Sequence, residues 1–276
     1  MLVASEHPRG QTSDSEQMPH SALLESYMKN FLFELCAETL QAAQAADRGG
    51  ADRIELCIRL DLGGITPSEQ LIAATVKALS IPVHVLIRPR GGDFAYSAWE
   101  FDQMREQVLC AKEAGAAGVA LGVLQADARI DVDRSRELTE LARPMKVTYH
   151  RAFDRTPDMS EALETVIGIG ADCLLTSAGA PDVLTGAEQL KKLVRQAGDR
   201  IQIMAGGGLK LTSMAEVLER TGLHCLHGSL TRKAGESVIG DTEADKAQIL
   251  EADVRTAVQL MHTHFAAREL AAPLAR

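Results

Sequence analysis

Between positions 83 and 88 the apolar residues Val83, Val85 and Ile87 alternate with His84, Leu86 and Arg88. A period of two is the mark of a strand with one greasy face and one face that carries chemistry. Comparable segments predict strands over 31–36, 52–57, 83–88, 118–122, 145–151, 172–176, 200–204 and 223–229. Between and after them, stretches with helical spacing predict helices over 38–48, 68–79, 98–114, 131–142, 159–169, 186–196, 213–220 and 243–267. Glycines such as Gly49-Gly50 and Gly115 stop the helices, as a left-handed terminating residue does.

Eight strands, each followed by a helix, require parallel pairing, and eight such units predict a closed (β/α)8 barrel rather than an open doubly wound sheet. An open sheet of the dinucleotide-binding kind would carry a GxGxxG turn after its first strand, whereas Cys36-Ala37-Glu38-Thr39 stands there. The first two strands end alike, in Glu34-Leu35-Cys36 and Glu55-Leu56-Cys57. Positions 1–30 are rich in Ser, Gln and acidic residues without an apolar stretch, and read as a flexible polar extension. One barrel domain over 31–270, including the last helix, accounts for the rest.

In a parallel barrel the carboxyl ends of all strands meet at one mouth. Strand parity turns Ile54, Leu56, Val83, Val85, Ile87, Val147 and Tyr149 towards the helices. The opposite parity turns Glu34, Cys36, Glu55, Cys57, His84, Arg88, Thr148, His150, Ser177, Cys225 and His227 inward. His224 belongs to the outward set. Inward carboxylates are costly unless paired, so Glu34 and Glu55 are expected to face Arg88 and the histidines. This makes Glu34, Glu55, His84, Arg88, His150 and His227 the candidate catalytic set, although a self-satisfied ionic ring would use the same residues. Arg88, Arg90 and Ser177 are candidate anion ligands with the backbone of Gly206-Gly207-Gly208 and Gly228-Ser229, since late strand ends of such barrels bind phosphate through N–H groups. Asp154, four residues beyond His150, either orients an arginine or imidazole or caps a turn.

Composition narrows the partners. The 276 residues are 46% hydrophobic and carry a net charge of −9 without a basic block, which argues against nucleic acid. No apolar run approaches the roughly 18 residues of a membrane span. Five cysteines, Cys36, Cys57, Cys110, Cys173 and Cys225, lack CxxC spacing, so reduced thiols in a cytoplasmic protein are expected. Cys36 and Cys57, on adjacent strands, are either packing residues or soft ligands within reach of one Cu(I) ion. The last helix either covers the barrel or closes a homo-oligomer interface.

Several motifs together carry a family resemblance. They are Phe33-Glu34-Leu35-Cys36, Gly50-Ala51-Asp52-Arg53-Ile54-Glu55-Leu56-Cys57, Gly63-Gly64-Ile65-Thr66-Pro67-Ser68, the segment 81–94, Thr148-Tyr149-His150-Arg151-Ala152-Phe153-Asp154, Leu175-Thr176-Ser177, Gly206-Gly207-Gly208 and His227-Gly228-Ser229. From about Phe31 to Ser229 the chain resembles the CutC family. The resemblance implies a TIM-like barrel, a cytoplasmic location and an assignment to copper homeostasis, which joins the soft-ligand reading of Cys36 and Cys57 for Cu(I). It departs from the family pattern in the first thirty residues and at Ala178, where glycine is usual. The alternative reading of the same inward residues is a barrel enzyme that acts on a small anionic or phosphorylated metabolite.

Overall fold

A computed structural model describes residues 31–230 and 243–271; the expected extension over 1–30 lies outside the described residues. The strands are β1 Leu32–Ala37, β2 Arg53–Leu56, β3 Val83–Leu86, β4 Gly118–Leu121, β5 Lys146–Tyr149, β6 Cys173–Thr176, β7 Gln202–Gly206 and β8 Cys225–Gly228. All neighbours are parallel, and β8 pairs back to β1, so the sheet closes in chain order. The helices are α1 Leu40–Gly49, α2 Glu69–Ala78, α3 Ala98–Glu113, α4 Val132–Ala142, α5 Met159–Gly168, α6 Ala187–Ala197, α7 Leu211–Thr221 and α8 Glu243–Ala271. The protein is a (β/α)8 barrel.

Local signals explain where the helices begin. Ser97 accepts from the Glu100 amide while the Glu100 carboxylate takes the Ser97 amide, a reciprocal cap that satisfies two otherwise orphaned donors at the start of α3. Asp158 does similar work for α5 by accepting from the amides of Ser160 and Glu161. At the other end of α1, Gly50 takes the left-handed conformation that ends a helix.

The register fixes which side chains enter the barrel. Glu34 lies opposite Arg53, Cys36 opposite Glu55, Glu55 opposite His84, and His84 opposite Gly118. Gly206 lies opposite His227, and Glu34 opposite the same histidine on its other side. The inward residues in these pairs, Glu34, Cys36, Glu55, His84 and His227, therefore follow the expected parity. The outward residues Ile54, Leu56, Val85, Ile87, Val147 and Tyr149 are buried against the helix layer in one continuous core. Each contributes on the order of 1.5–3 kcal/mol by leaving water, so the sheet-to-helix layer supplies most of the driving force.

The barrel lumen is organised differently. Two small apolar clusters, Cys36, Cys57, Leu86 and Ala120 on one side and Cys173, Leu175, Met204 and Cys225 on the other, flank a charged middle. Room for large polar rings comes from glycine. A Cβ on Gly118 would stand 2.4 Å from Nε2 of His84, and one on Gly122 would stand 2.6 Å from Nδ1 of His150. Each imidazole on one strand occupies the volume that its neighbour lacks.

His224 faces the helices, as its parity requires, and stacks on Phe265 of α8. Two short 3-10 turns, Leu60–Leu62 and Arg151–Arg155, stand where no helical period is visible in the sequence. Ala178, buried behind β6, adopts φ 56°. That left-handed geometry gives a physical reason for glycine at this position.

Candidate functional site

The charged middle is built on Arg53, Glu34 and His227. Arg53 Nε donates to Glu34 Oε2 at 2.5 Å, and His227 Nδ1 lies 2.7 Å from Glu34 Oε1. Burial alone would raise the Glu34 carboxyl, but the Arg53 guanidinium and the His227 hydrogen bond outweigh it and hold the group well below the usual carboxylate range. Burial likewise opposes protonation of His227, yet its bond to Glu34 and the nearby Glu55 carry its pKa upward. His84 has no such partner: burial and the Arg53 charge push it down to about 4, so it is neutral. Arg88 was the expected cation of this ring. The structure puts Arg53 there instead, because residues 53 and 55 share a face of β2 and Arg53 stands directly opposite Glu34.

Beside the ring, Cys36 Sγ and Cys57 Sγ are 3.3 Å apart, and the Cys36 thiol also lies 3.7 Å from Glu55 Oε1. The Cys57 contact, burial and the Glu55 charge all keep Cys36 protonated, with a pKa well above that of a free thiol. Burial pushes Glu55 upward too, with His227 acting against it. Ligand atoms of Cys36, Glu55 and His227 lie within 4.8 Å of one another. Of these donors only the Cys36 sulfur is soft, and a soft ion would need Cys57 as a second thiolate. With metal–sulfur bonds of about 2.3 Å, one ion between the two thiolates needs a sulfur separation of roughly 4–4.5 Å, so the pair must open by about 1 Å.

Above these groups lies a cavity of about 430 Å³ at the carboxyl ends of the strands. Its floor is Cys36, Glu55, Leu86 and His227, and its walls include Arg88, Phe94, His150 and the loops at 207–210 and 228–230. His150 Nδ1 accepts from the Ala152 amide at 3.2 Å, which places the ring proton on Nε2. That Nε2 is buried and has no partner among the described residues. Burial and the Arg88 charge depress the His150 pKa to about 3, so the ring is neutral. Arg88 is buried as well, and its terminal nitrogens donate to the carbonyl oxygens of Leu62 and Gly64 at 2.9 Å and of Gly92 at 2.8 Å.

Comparison with known proteins decides the family. The model of the CutC family matches residues 31–232. The chain belongs to the CutC family. A family protein CutC from Mesorhizobium japonicum is 47% identical over 196 residues, covering 71% of this chain and 76% of the relative. A human relative, named copper homeostasis protein cutC homolog, is 42% identical over 208 residues, 74% of this chain and 76% of its own. The crystal structure of a CutC protein from Streptococcus agalactiae matches with a TM-score of 0.70 at 32% identity, covering 73% of this chain and all of that one.

In this CutC barrel the sequence-derived site residues divide into three groups. Cys36, Glu55, Arg88, His150, His227, Gly207, Gly208, Gly228 and Ser229 line the cavity. Glu34, Cys57 and His84 are buried outside its lining, with Glu34 bonded to His227 and Cys57 against Cys36. Arg90, Ser177 and Gly206 are elsewhere. Arg90 is spent on Glu100 and Asp93 at the surface. Ser177 belongs to a latch in which the Asp154 carboxylate accepts from the Ser177 amide and hydroxyl, the Gly179 amide and the Arg151 guanidinium, as well as from Thr176. Asp154 thus ties the loop after β5 to the loop after β6. Arg53 escaped the sequence reading although its parity with Glu55 could have exposed it; Arg151 and Lys210 at the cavity wall carry no comparable sequence signal.

No helix among the described residues is long and apolar enough to cross a membrane.

Proposed function

We propose that this CutC chain binds Cu(I) through Cys36 and Cys57, as part of the copper homeostasis for which its relatives are named. The observation that carries the reading is the 3.3 Å approach of two buried thiols, Cys36 in the cavity lining and Cys57 outside it. Thiolates are soft ligands that select Cu(I) over hard cations. Glu55 and His227 stand close enough to Cys36 to complete or orient the site. The metal is cargo here: both thiols must lose protons to hold it, so affinity rises with pH until they do so freely. Glu55, whose Oε1 lies 3.7 Å from the Cys36 sulfur, is an acceptor at hand for a released proton.

Anaerobic titration of the parent against a strong chromogenic Cu(I) competitor tests this, with Cys36→Ala and Cys57→Ala alongside. The expected result is one equivalent bound by the parent and a loss of at least about tenfold in each variant, each of which removes one of two soft ligands. Equal affinity in all three proteins would remove the cysteine site.

A further inference from the structure

The neutral His150 and the charged Arg88 share a cavity wall, and neither has a function in the copper reading. His150 is held rigidly. Its Nδ1 takes the Ala152 amide, Phe94 lies 5.1 Å from its ring centre, and the space behind it exists only because residue 122 is glycine. The tautomer is set by that backbone bond, leaving a fixed Nε2–H that is buried without a partner among the described residues. A donor left in that state is costly unless something accepts from it, and His150 belongs to the cavity lining.

Arg88 adds charge at the same place. It is buried and makes no ion pair among the described residues; its bonds are to three carbonyl oxygens, and its guanidinium carbon lies 4.8 Å over the Phe94 ring. The carbonyl dipoles fix the guanidinium without neutralising it. Buried charges are ordinarily paired. Of the other ionisable groups in the lining, Arg151 is matched by Asp154, Lys210 adds a second cation and His227 answers Glu34, which leaves Glu55 on the floor as the only carboxylate of the lining among the described residues. The cavity wall is therefore positive on the side where His150 points its wall-lining ring.

We infer that this cavity is a binding site for a small metabolite bearing a carboxylate or phosphate group, one oxygen of which accepts the Nε2–H of His150 in the field of Arg88. The volume of about 430 Å³ falls in the range of small-molecule sites and exceeds what a bare ion would fill. Recognition is of a single oxygen by a directional neutral donor, with the nearby guanidinium supplying attraction. Three of its five N–H bonds already go to carbonyl oxygens, while its Nε–H has no partner among the described residues. A cavity water on Nε2 would satisfy the donor but not the charge.

The test is a titration of the full chain, labelled with 15N at histidine, with malonate and separately with inorganic phosphate at constant ionic strength. The His150 Nε2–H resonance is expected to shift saturably with at least one anion and not with chloride, and the anion that acts tells carboxylate from phosphate. In His150→Phe, which keeps the ring volume and removes the donor, stabilisation of the fold against urea by that anion should weaken by at least about tenfold in apparent affinity. The readout uses no copper and no cysteine variant, so failure of the copper reading leaves this one standing. Absence of a saturable shift with both anions overturns the inference. Undiminished anion binding in His150→Phe does the same, and if that variant does not fold, the resonance of the parent decides alone.

Discussion

Arg53 Nε meets Glu34 Oε2 at 2.5 Å across the register pair that joins β1 to β2. The two form a buried ion pair in the lumen, and His227 completes the group from β8. Breaking such a set typically costs on the order of 3–5 kcal/mol, because the surviving charge stays buried without its partner. Arg53→Met should therefore lower the urea midpoint strongly at neutral pH. In the parent, Glu34 has a depressed folded pKa, so its contribution is present above the unfolded value of 4.5 and is lost as pH falls below it. In the variant, Glu34 can take up a proton in the fold, and the gap from the parent should narrow in acid. A gap that stays constant with pH would mean that Glu34 is not the group Arg53 serves.

The two neutral imidazoles make a second prediction. His84 and His150 have folded pKa values pushed down to about 4 and about 3, against an ordinary 6.5. Below pH 6.5 the unfolded chain binds protons at these sites that the folded chain refuses, so their stabilisation is complete above 6.5 and is lost as pH falls through the folded values. Each accounts for about 1.4 kcal/mol per pH unit in that window. His227 has a raised pKa and acts at the other side, losing its contribution as pH rises above 6.5. Glu55, also raised, offsets part of the acid slope near its own titration. Urea midpoints between pH 4.5 and 6.5 should fall with acid in the parent and fall less steeply in His150→Phe. Identical slopes would show that His150 titrates normally.

Glycine at two lumen positions yields a third. Gly118→Ala and Gly122→Ala would each drive a methyl group into an imidazole, at 2.4 Å from His84 Nε2 and 2.6 Å from His150 Nδ1. Overpacking of this kind costs roughly 1–3 kcal/mol, readable in urea unfolding. Only Gly122→Ala should also disturb the cavity donor and weaken malonate or phosphate binding. If both variants bind alike, the orientation of His150 does not matter to the site.

Ala178 supports a fourth. At φ 56° an alanine bears about 1–2 kcal/mol of left-handed strain, while glycine there would cost about 0.5–1 kcal/mol in chain entropy. Ala178→Gly should be neutral to stabilising by up to about 1 kcal/mol, seen as a raised thermal midpoint. A clear drop would mean that contacts of the buried methyl outweigh the backbone strain.

The barrel was legible because its signals are local. Val83, Val85 and Ile87 announce an outward face by alternation alone, and a register of parallel strands carries that parity around the sheet. The inward residues were legible for the same reason. Which of them touch was not, since that depends on stagger between neighbouring strands: β1 and β2 pair two residues out of step with their shared Glu-Leu-Cys endings, which sets Glu34 opposite Arg53 and Cys36 opposite Glu55. Arg88 lies at the end of β3, where the loop carbonyls of Leu62, Gly64 and Gly92 capture it. Those contacts come from turns without any periodic pattern. Ser177 went to the Asp154 latch for a like reason, as the 3-10 turn that presents Asp154 has no hydrophobic period to reveal it.

The fit of His84 against Gly118 and of His150 against Gly122 makes each pair a single unit of heritable variation. A larger residue at 118 or 122 becomes tolerable only in a chain whose partner histidine has already shrunk, and a lost histidine leaves a hole that a larger neighbour can fill. Drift at these four positions must then proceed by compensated double steps, each with a costly single intermediate. For the 122 and 150 pair, the compensated state keeps the barrel and gives up the donor, so a lineage can abandon the cavity's ligand while retaining the fold that held it.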